Sequence, residues 1–197
     1  GITGTNGKTT VAYLIEQILI QAGHRVGVIG TINYRYCGKT FENPMTTPES
    51  IDLQKILAEM HQEGVTHVVM EASSHAMDLH RIKNCWFDVA VFTNLSQDHL
   101  DFHGDMQSYW NSKKKLFTEY LTKGPKKETA IAVINCDDPR GRELAGILSI
   151  PIIKTGSVSG REIQAENFKC TLKGTTGKVA ALEGSFEFKT PLVGTHN

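Results

Sequence analysis

The sequence carries no net charge: its 197 residues hold 21 lysines and arginines against 21 aspartates and glutamates. That balance excludes the broad basic surface used for indiscriminate binding to nucleic acid or acidic membranes, so neither is expected as a partner. Cysteine is scarce and scattered. Cys37, Cys85, Cys136 and Cys170 form no C-x-x-C pair, which argues against a disulfide framework or a zinc site and suits a reducing cytoplasm. No run is long and apolar enough to span a bilayer, and no secretory signal opens the chain. Internal repeats and low-complexity segments are missing as well. So is a recognisable strand ahead of the glycine-rich segment near the start, where only Gly1-Ile2-Thr3 precede it. Together with the abrupt end at Gly194-Thr195-His196-Asn197, this leads to the expectation of a piece excised from a longer protein.

What is present reads as a globular α/β domain with a sizeable core. Val11, Leu14, Ile15, Ile18 and Leu19 recur at helical spacing, closed by Gly23. Arg25 to Ile29 reads as a strand, and Thr31 to Phe41 as β-rich with a turn at Gly38-Lys39. A helix starts at Thr47-Pro48-Glu49-Ser50 and runs to about Gln62. His67–Met70, Asp88–Phe92 and Ala130–Ile134 are short apolar runs, the mark of buried parallel strands. Helices are expected near Met106 to Leu121 and Arg140 to Leu148, and a further strand at Pro151 to Ile153. Strands alternating with helices imply a mostly parallel P-loop-type sheet covered on both faces. From about Gly160 the pattern changes to short alternating runs (Ala165 to Leu172, Lys178 to Leu182, Ser185 to Lys189) with turns at Gly174 and Gly184, a small antiparallel β appendix.

The segment Gly4-Thr5-Asn6-Gly7-Lys8-Thr9-Thr10 opens the first helix. Glycines let a backbone approach a phosphate chain, a helix N-terminus supplies oriented N–H groups, and a lysine supplies charge. Gly4, Gly7 and Lys8 fit these tasks, and the Thr9 hydroxyl suits Mg²⁺. The usual P-loop has a glycine five residues before the Gly-Lys pair, where this chain has Ile2. The loop is thus a variant, and nucleotide binding is the expectation.

Nucleotide phosphates arrive with Mg²⁺, which prefers oxygen ligands. Glu71 ends the strand His67–Met70, and strand C-termini face the ligand crevice of such sheets. It is read as a metal ligand or water-orienting group, with an N-cap for the following segment as the plainer alternative. His99, in the loop after Asp88–Phe92, is either a metal ligand or an ordinary polar loop residue. Lys113 is more telling. At about 100° per residue, Tyr109, Trp110, Leu116, Phe117, Tyr120 and Leu121 share one helix face. Lys113 falls inside that stripe, with Lys114 at its edge and Lys115 opposite. Burial lowers a lysine's pKa, and a neutral amine reacts with CO₂ to give a carbamate, an anionic oxygen ligand. The alternative is a side chain that snorkels from an apolar face to solvent.

The P-loop, Met45-Thr46-Thr47-Pro48, Met70-Glu71-Ala72-Ser73-Ser74-His75 and Thr93-Asn94-Leu95-Ser96-Gln97-Asp98-His99-Leu100-Asp101-Phe102-His103-Gly104 together resemble the Mur ligases. Within that family they are most similar to the branch that adds the third residue of the peptidoglycan stem peptide. The resemblance runs to Leu192-Val193-Gly194-Thr195-His196-Asn197, the segment that ends the family's central domain. It implies that residues 1–197 are the central ATP-binding domain, with 1–159 a P-loop core and 160–197 its β-rich appendix. The parent's N-terminal (UDP-binding) and C-terminal (amino-acid-binding) domains are absent. The implied reaction uses ATP to phosphorylate the D-glutamyl carboxylate of UDP-MurNAc-L-Ala-D-Glu. The amine of a diamino acid (diaminopimelate or lysine) attacks the acyl phosphate, releasing ADP and phosphate.

The resemblance also implies roles. Gly4, Thr5, Asn6, Gly7, Lys8, Thr9, Thr10 and Asn94 would bind ATP. Thr9, Glu71, His99 and an N6-carboxylated Lys113 would hold Mg²⁺, and Thr46, Thr47, Ser73 and Arg81 would hold the UDP-muramoyl dipeptide. Lys8, Glu71, His99 and Lys113 would form the catalytic set. Leu79 departs from the glutamine that family members carry two residues before the arginine, and Phe102 holds an aromatic position. A folate-glutamating relative fits Thr46-Thr47-Pro48 and the Asp98–Gly104 run less well. A phosphotransferase or NTPase switch would need a base-specificity motif that is absent here. A third reading is a module that binds ATP and Mg²⁺ without ligating.

Overall fold

The computed structural model describes residues 1–193. The final Gly194 to Asn197, part of the expected family segment, lie outside the described residues. In chain order the elements are β1 (Ile2–Thr3), α1 (Lys8–Gln21), β2 (Val26–Ile29), β3 (Asn33–Tyr36), β4 (Lys39–Glu42), α2 (Ser50–Gln62) and β5 (His67–Met70). Then come α3 (Ser74–Asp78), β6 (Val89–Phe92), α4 (Leu100–His103), α5 (Met106–Lys115), a π-helical segment (Leu116–Leu121), β7 (Ile131–Asn135) and α6 (Pro139–Ile147). The last strands are β8 (Ile152–Gly156), β9 (Ile163–Thr171), β10 (Gly174–Ala181) and β11 (Gly184–Thr190).

One sheet runs β4-β3-β2-β5 and the other β1-β6-β7-β8-β9-β10-β11. A parallel bridge between Ile2 and Glu71 joins them, and the Ala72 N–H donates to the Ile2 carbonyl at 2.8 Å. β2, β5, β1, β6, β7, β8 and β9 are therefore parallel, flanked by antiparallel strands at both ends. Side-chain alternation splits the core. Val26 and Val28 of β2, with Val69 of β5 and Ile2, pack under Ala12, Val11, Ile15 and Leu19 of α1. Ile29 and Met70 belong to the larger core, with Leu53 and Met60 of α2, Trp110 of α5 and Leu144 of α6. Helices thus cover both faces, as the alternating pattern implies.

Several local expectations are corrected. The two residues before the glycine loop are a strand after all: β1 pairs with Val91 and Phe92 of β6. Two residues are too few for any periodicity to show. Leu14 and Ile18 of α1 are exposed, so the buried stripe is narrower than the apolar pattern. The β3–β4 turn is Cys37-Gly38, not Gly38-Lys39, with φ of 50° and 75°, the pair of positive values a tight hairpin favours. The expected single helix over Met106 to Leu121 changes to π-helical pitch at Leu116. The appendix is antiparallel within β9–β11 but joins the main sheet by a short parallel pairing of Thr155 with Ile163 and Gly156 with Gln164. Its turns are Leu172-Lys173 and Leu182-Glu183, with Gly174 and Gly184 each opening the following strand. No helix among the described residues is long and apolar enough to cross a membrane.

Candidate active site

The glycine loop lies between the end of β1 and the start of α1, at the carboxyl ends of the parallel strands. Gly7, the N-cap of α1, has φ 81° and offers no side-chain acceptor to the first helical turn. Those N–H groups and the positive end of the helix dipole are the elements of an anion site. Gly4 has φ 145°, and any Cβ there would overlap the Thr93 hydroxyl, so the second loop presses directly on the first. That second loop follows β6. The Asn94 side chain accepts from the Asn6 N–H (3.0 Å) and donates to the Asn6 carbonyl (3.1 Å). Thr93 Oγ1 also donates to the Asn6 carbonyl (2.7 Å), and the Thr5 N–H donates to the Asn94 carbonyl (2.8 Å). Asn94 therefore shapes the loop with both ends of its amide.

Lys8 Nζ donates to the carbonyls of Gly4 (3.0 Å) and Thr5 (2.9 Å). Burial lowers its pKa, opposed by Glu71 and Asp98. Lys113 is 1% exposed, which excludes the snorkelling alternative. Its Nζ donates to the same Gly4 carbonyl at 2.8 Å and lies 4.5 Å from the Tyr109 ring centroid. Desolvation pushes this amine well below the usual lysine range, and the Lys8 charge pushes it further, against Asp98. Tyr109 OH shares a hydrogen bond with Thr5 Oγ1 (3.2 Å), and burial raises its pKa to about 12. Lys115, expected opposite Lys113, pairs with Asp78 of α3.

Glu71 is 1% exposed. Its carboxylate accepts from Thr9 Oγ1 (3.1 Å), Thr31 N–H (3.1 Å) and Thr31 Oγ1 (2.9 Å). It does not cap α3: the N-cap is Ser73, whose hydroxyl accepts from the Ala76 N–H. Gly30 leaves it room, since a Cβ there would overlap Glu71 Oε1. These hard oxygen donors, one of them anionic, suit a divalent cation such as Mg²⁺. His99 sits in the left-handed region at φ 52°, half exposed beside Asp98. Its ring meets those of His75 (5.0 Å) and Tyr109 (6.0 Å), so His99 and Lys113 both lie against the Tyr109 ring. Among the described residues, no three His, Cys, Asp or Glu side chains converge as a ready metal cluster. Histidine 75 is held below the usual histidine range by burial and by the charges of His99 and Arg81.

The four expected substrate residues connect to Glu71 through Thr31 and Thr47. Thr46 Oγ1 contacts Thr31 Oγ1 (3.2 Å). Thr47, fully buried, donates to the Glu71 carbonyl (2.8 Å) and accepts from the Ser73 N–H (3.1 Å). Arg81 donates to the Thr47 carbonyl (3.3 Å) and pairs with Glu49 (2.7 Å), while its buried Nε has no partner. Thr10, on the first turn of α1, completes the loop set. Thr31 and Tyr109 are site residues the sequence reading passed over. Thr31 stands two residues past the end of β2, at the strand-end rim where Glu71 follows β5. Tyr109 precedes Lys113 by four residues on one helix face, where an apolar stripe gives no sign that its hydroxyl meets the glycine loop.

Residues 2–197 match the family described as the Mur ligase middle domain. The chain belongs to that family. A relative from Geobacter metallireducens, UDP-N-acetylmuramoyl-L-alanyl-D-glutamate--2,6-diaminopimelate ligase, is 46% identical over all 197 residues. The chain spans 39% of the length of that relative. A solved ligase of the same description superposes with a TM-score of 0.84 at 29% identity, over 99% of this chain and 39% of that one. The folylpolyglutamate synthase of Mycobacterium tuberculosis, solved with ADP and AMPPCP, shares the fold at a TM-score of 0.69 and 19% identity, over 99% of this chain and half of its own. The Mur ligase middle domain thus accounts for the parallel sheet, the variant loop and the two flanking loops.

Proposed function

We propose that this chain is the ATP-binding middle domain of a MurE-type ligase, acting in the cytoplasm on a peptidoglycan precursor. The parent joins diaminopimelate or lysine to UDP-MurNAc-L-Ala-D-Glu through an acyl phosphate. The observation that carries this reading is the convergence of Lys8 and the buried Lys113 on one loop carbonyl, with Glu71 held by Thr9 of the same loop.

Lys8 would exchange its two carbonyls for β- and γ-phosphate oxygens, and the first-turn N–H groups of α1 would take the remaining phosphate charge. Glu71 and Thr9 would hold a first Mg²⁺, with His99, Glu71 and Lys113 serving a second. Bound Mg²⁺ would neutralise charge on the transferring phosphoryl group. The neutral Lys113 amine adds to CO₂, forming an N–C bond and releasing one proton. The carbamate so formed would replace a buried neutral amine by an anionic oxygen ligand. Thr46, Thr47, Ser73 and Arg81 would hold the muramoyl dipeptide, and Arg81 has a donor to spare. The parent's flanking domains would supply the UDP and amino-acid contacts, so the chain alone binds nucleotide without ligating.

The test is calorimetric titration of the chain with ATP and Mg²⁺, alongside ADP release by the full-length parent given the UDP-muramoyl dipeptide and diaminopimelate, lysine or a folate. Lys8→Ala should weaken nucleotide binding about tenfold to a hundredfold, the loss of a charged hydrogen bond. Turnover with a folate in place of the muramoyl dipeptide would overturn the reading.

A further inference from the structure

Behind the site lies a relay: a histidine of α4 ties together both ends of α3, which α5 contacts in turn. His103, the last residue of α4, has a side chain only 2% exposed. Its Nε2 lies 2.9 Å from Ser74 Oγ on α3, and its Nδ1 lies 3.3 Å from Asp78 Oδ2 at the other end of α3. Ser74 is itself buried, and its carbonyl accepts from Ser112 Oγ at 2.8 Å, on α5. Asp78 also takes Lys115 Nζ of α5. The ring packs against Tyr109 at 5.1 Å and His75 at 5.5 Å between centroids.

We propose that His103 is a positioning residue that fixes the distance between the Glu71–Ser73 strand end and the Tyr109–Lys113 face of α5. Glu71 lies three residues before Ser74 on one side of the relay. Ser112 adjoins Lys113 on the other. Neither α3, at five residues, nor α4, at four, has the length to hold its place by its own hydrogen bonding. The imidazole supplies what they lack, bracing α3 at both ends and abutting Tyr109. A carboxylate accepts only, so Nδ1 carries the hydrogen and Nε2 accepts from the Ser74 hydroxyl. That tautomer satisfies every polar atom of the relay with a neutral ring. The chemistry at Lys113 and Glu71 depends on their separation, and misplacement by an ångström costs about a hundredfold in rate.

The kinetic arm of the test rests on the ligase reading; the spectroscopic arm does not. In the full-length parent, His103→Ala should lower kcat by about tenfold to a hundredfold, as loss of groups that orient ligands does, with KM for ATP within about twofold. Ser74→Ala, which removes a single hydroxyl, should lower kcat in the same sense, and the double variant should be no slower than His103→Ala, since both break one relay. Histidine-selective ¹⁵N NMR of the wild type should show Nδ1–H and an accepting Nε2. A kcat within twofold of wild type in either folded single variant, losses that multiply in the double variant, or an Nε2–H tautomer would each overturn the proposal. A wild-type parent that fails to ligate while showing the Nδ1–H tautomer would sink the ligase reading and leave the relay standing.

Discussion

At the residue scale, Lys113 shows how one charge is made conditional by its surroundings. A lysine inside an apolar stripe is desolvated on all sides, and here its one hydrogen-bond acceptor, the Gly4 carbonyl, is shared with a second lysine. Its folded pKa is depressed below that of the unfolded chain, so the folded state holds fewer protons at any pH between the two values. Stability then rises with pH through that window, is penalised in full below the folded pKa, and gains nothing further above the unfolded value near 10.5. Lys113→Met removes the titrating group while keeping the side chain's length and apolar stem. In CO₂-free buffer the wild-type chain should gain thermal stability as pH is raised from 7 towards 10, and the variant should lose most of that gain. Thermal melts across the range check this; parallel curves for the two proteins would show that Lys113 is charged in the fold. Addition of bicarbonate at pH 8 should raise the melting temperature of the wild type and leave that of the variant unmoved.

At the scale of elements, the site is held by short loops that borrow their stability from neighbouring helices. Asp138 is the N-cap of α6, accepting from the Arg140 N–H (2.7 Å), and its other oxygen accepts from the Leu95 N–H (2.7 Å). One carboxylate thereby caps a helix and pins the loop whose Asn94 shapes the glycine loop. Asp138→Ala should destabilise the chain by about 1–2 kcal/mol, as loss of an N-cap does, and should weaken ATP binding although Asp138 lies outside the phosphate cradle. Urea melts and calorimetry read the two effects; a stability loss with unchanged affinity would uncouple α6 from the loop. The same scale explains what was legible in the sequence. The strand ends carrying Glu71 and Asn94 could be read because buried parallel strands are short apolar runs, and Lys113 because a helix of three turns or more displays its stripe. β1, α3 and α4 escaped, being two, five and four residues long, too short for the period of their element to repeat. The pairing of His103 with Ser74 and Asp78 was equally hidden, since it joins residues 29 and 25 apart in the chain, a separation only tertiary packing closes. Leu14 and Ile18 show the reverse error, an apolar spacing that packing leaves exposed.

At the scale of the molecule, stability is unevenly distributed along one continuous sheet. Both core clusters are built from residues before Pro151, apart from Ile152 packed at the margin. No side chain of β9, β10 or β11 belongs to either, and Phe168, Leu172, Leu182 and Phe186 of that region are exposed. The appendix is held instead by its own ladders, by two residue pairs to β8 and by the Glu162 carboxylate, which accepts from the Lys154 N–H of β8. Thr175 Oγ1 donates to the Leu192 carbonyl at 2.8 Å, closing the hairpin on its own tail. Strand pairing without a shared core contributes little cooperativity, because the apolar burial that makes unfolding all-or-none is absent from the seam. Hydrogen exchange of the chain in mild denaturant should therefore show β9–β11 amides exchanging well before those of β5, β6 and β7. A chain ending at residue 159 should then unfold cooperatively and bind ATP within a few-fold of the longer one, since Lys8, Glu71, Asn94 and Lys113 all lie on the core side. Equal protection of β6 and β10, or loss of nucleotide binding on truncation, would mean that β8 needs β9 beside it to hold the strand order of the core. The division at residues 1–159 and 160–197 would then be a change of sequence pattern within a single folding unit.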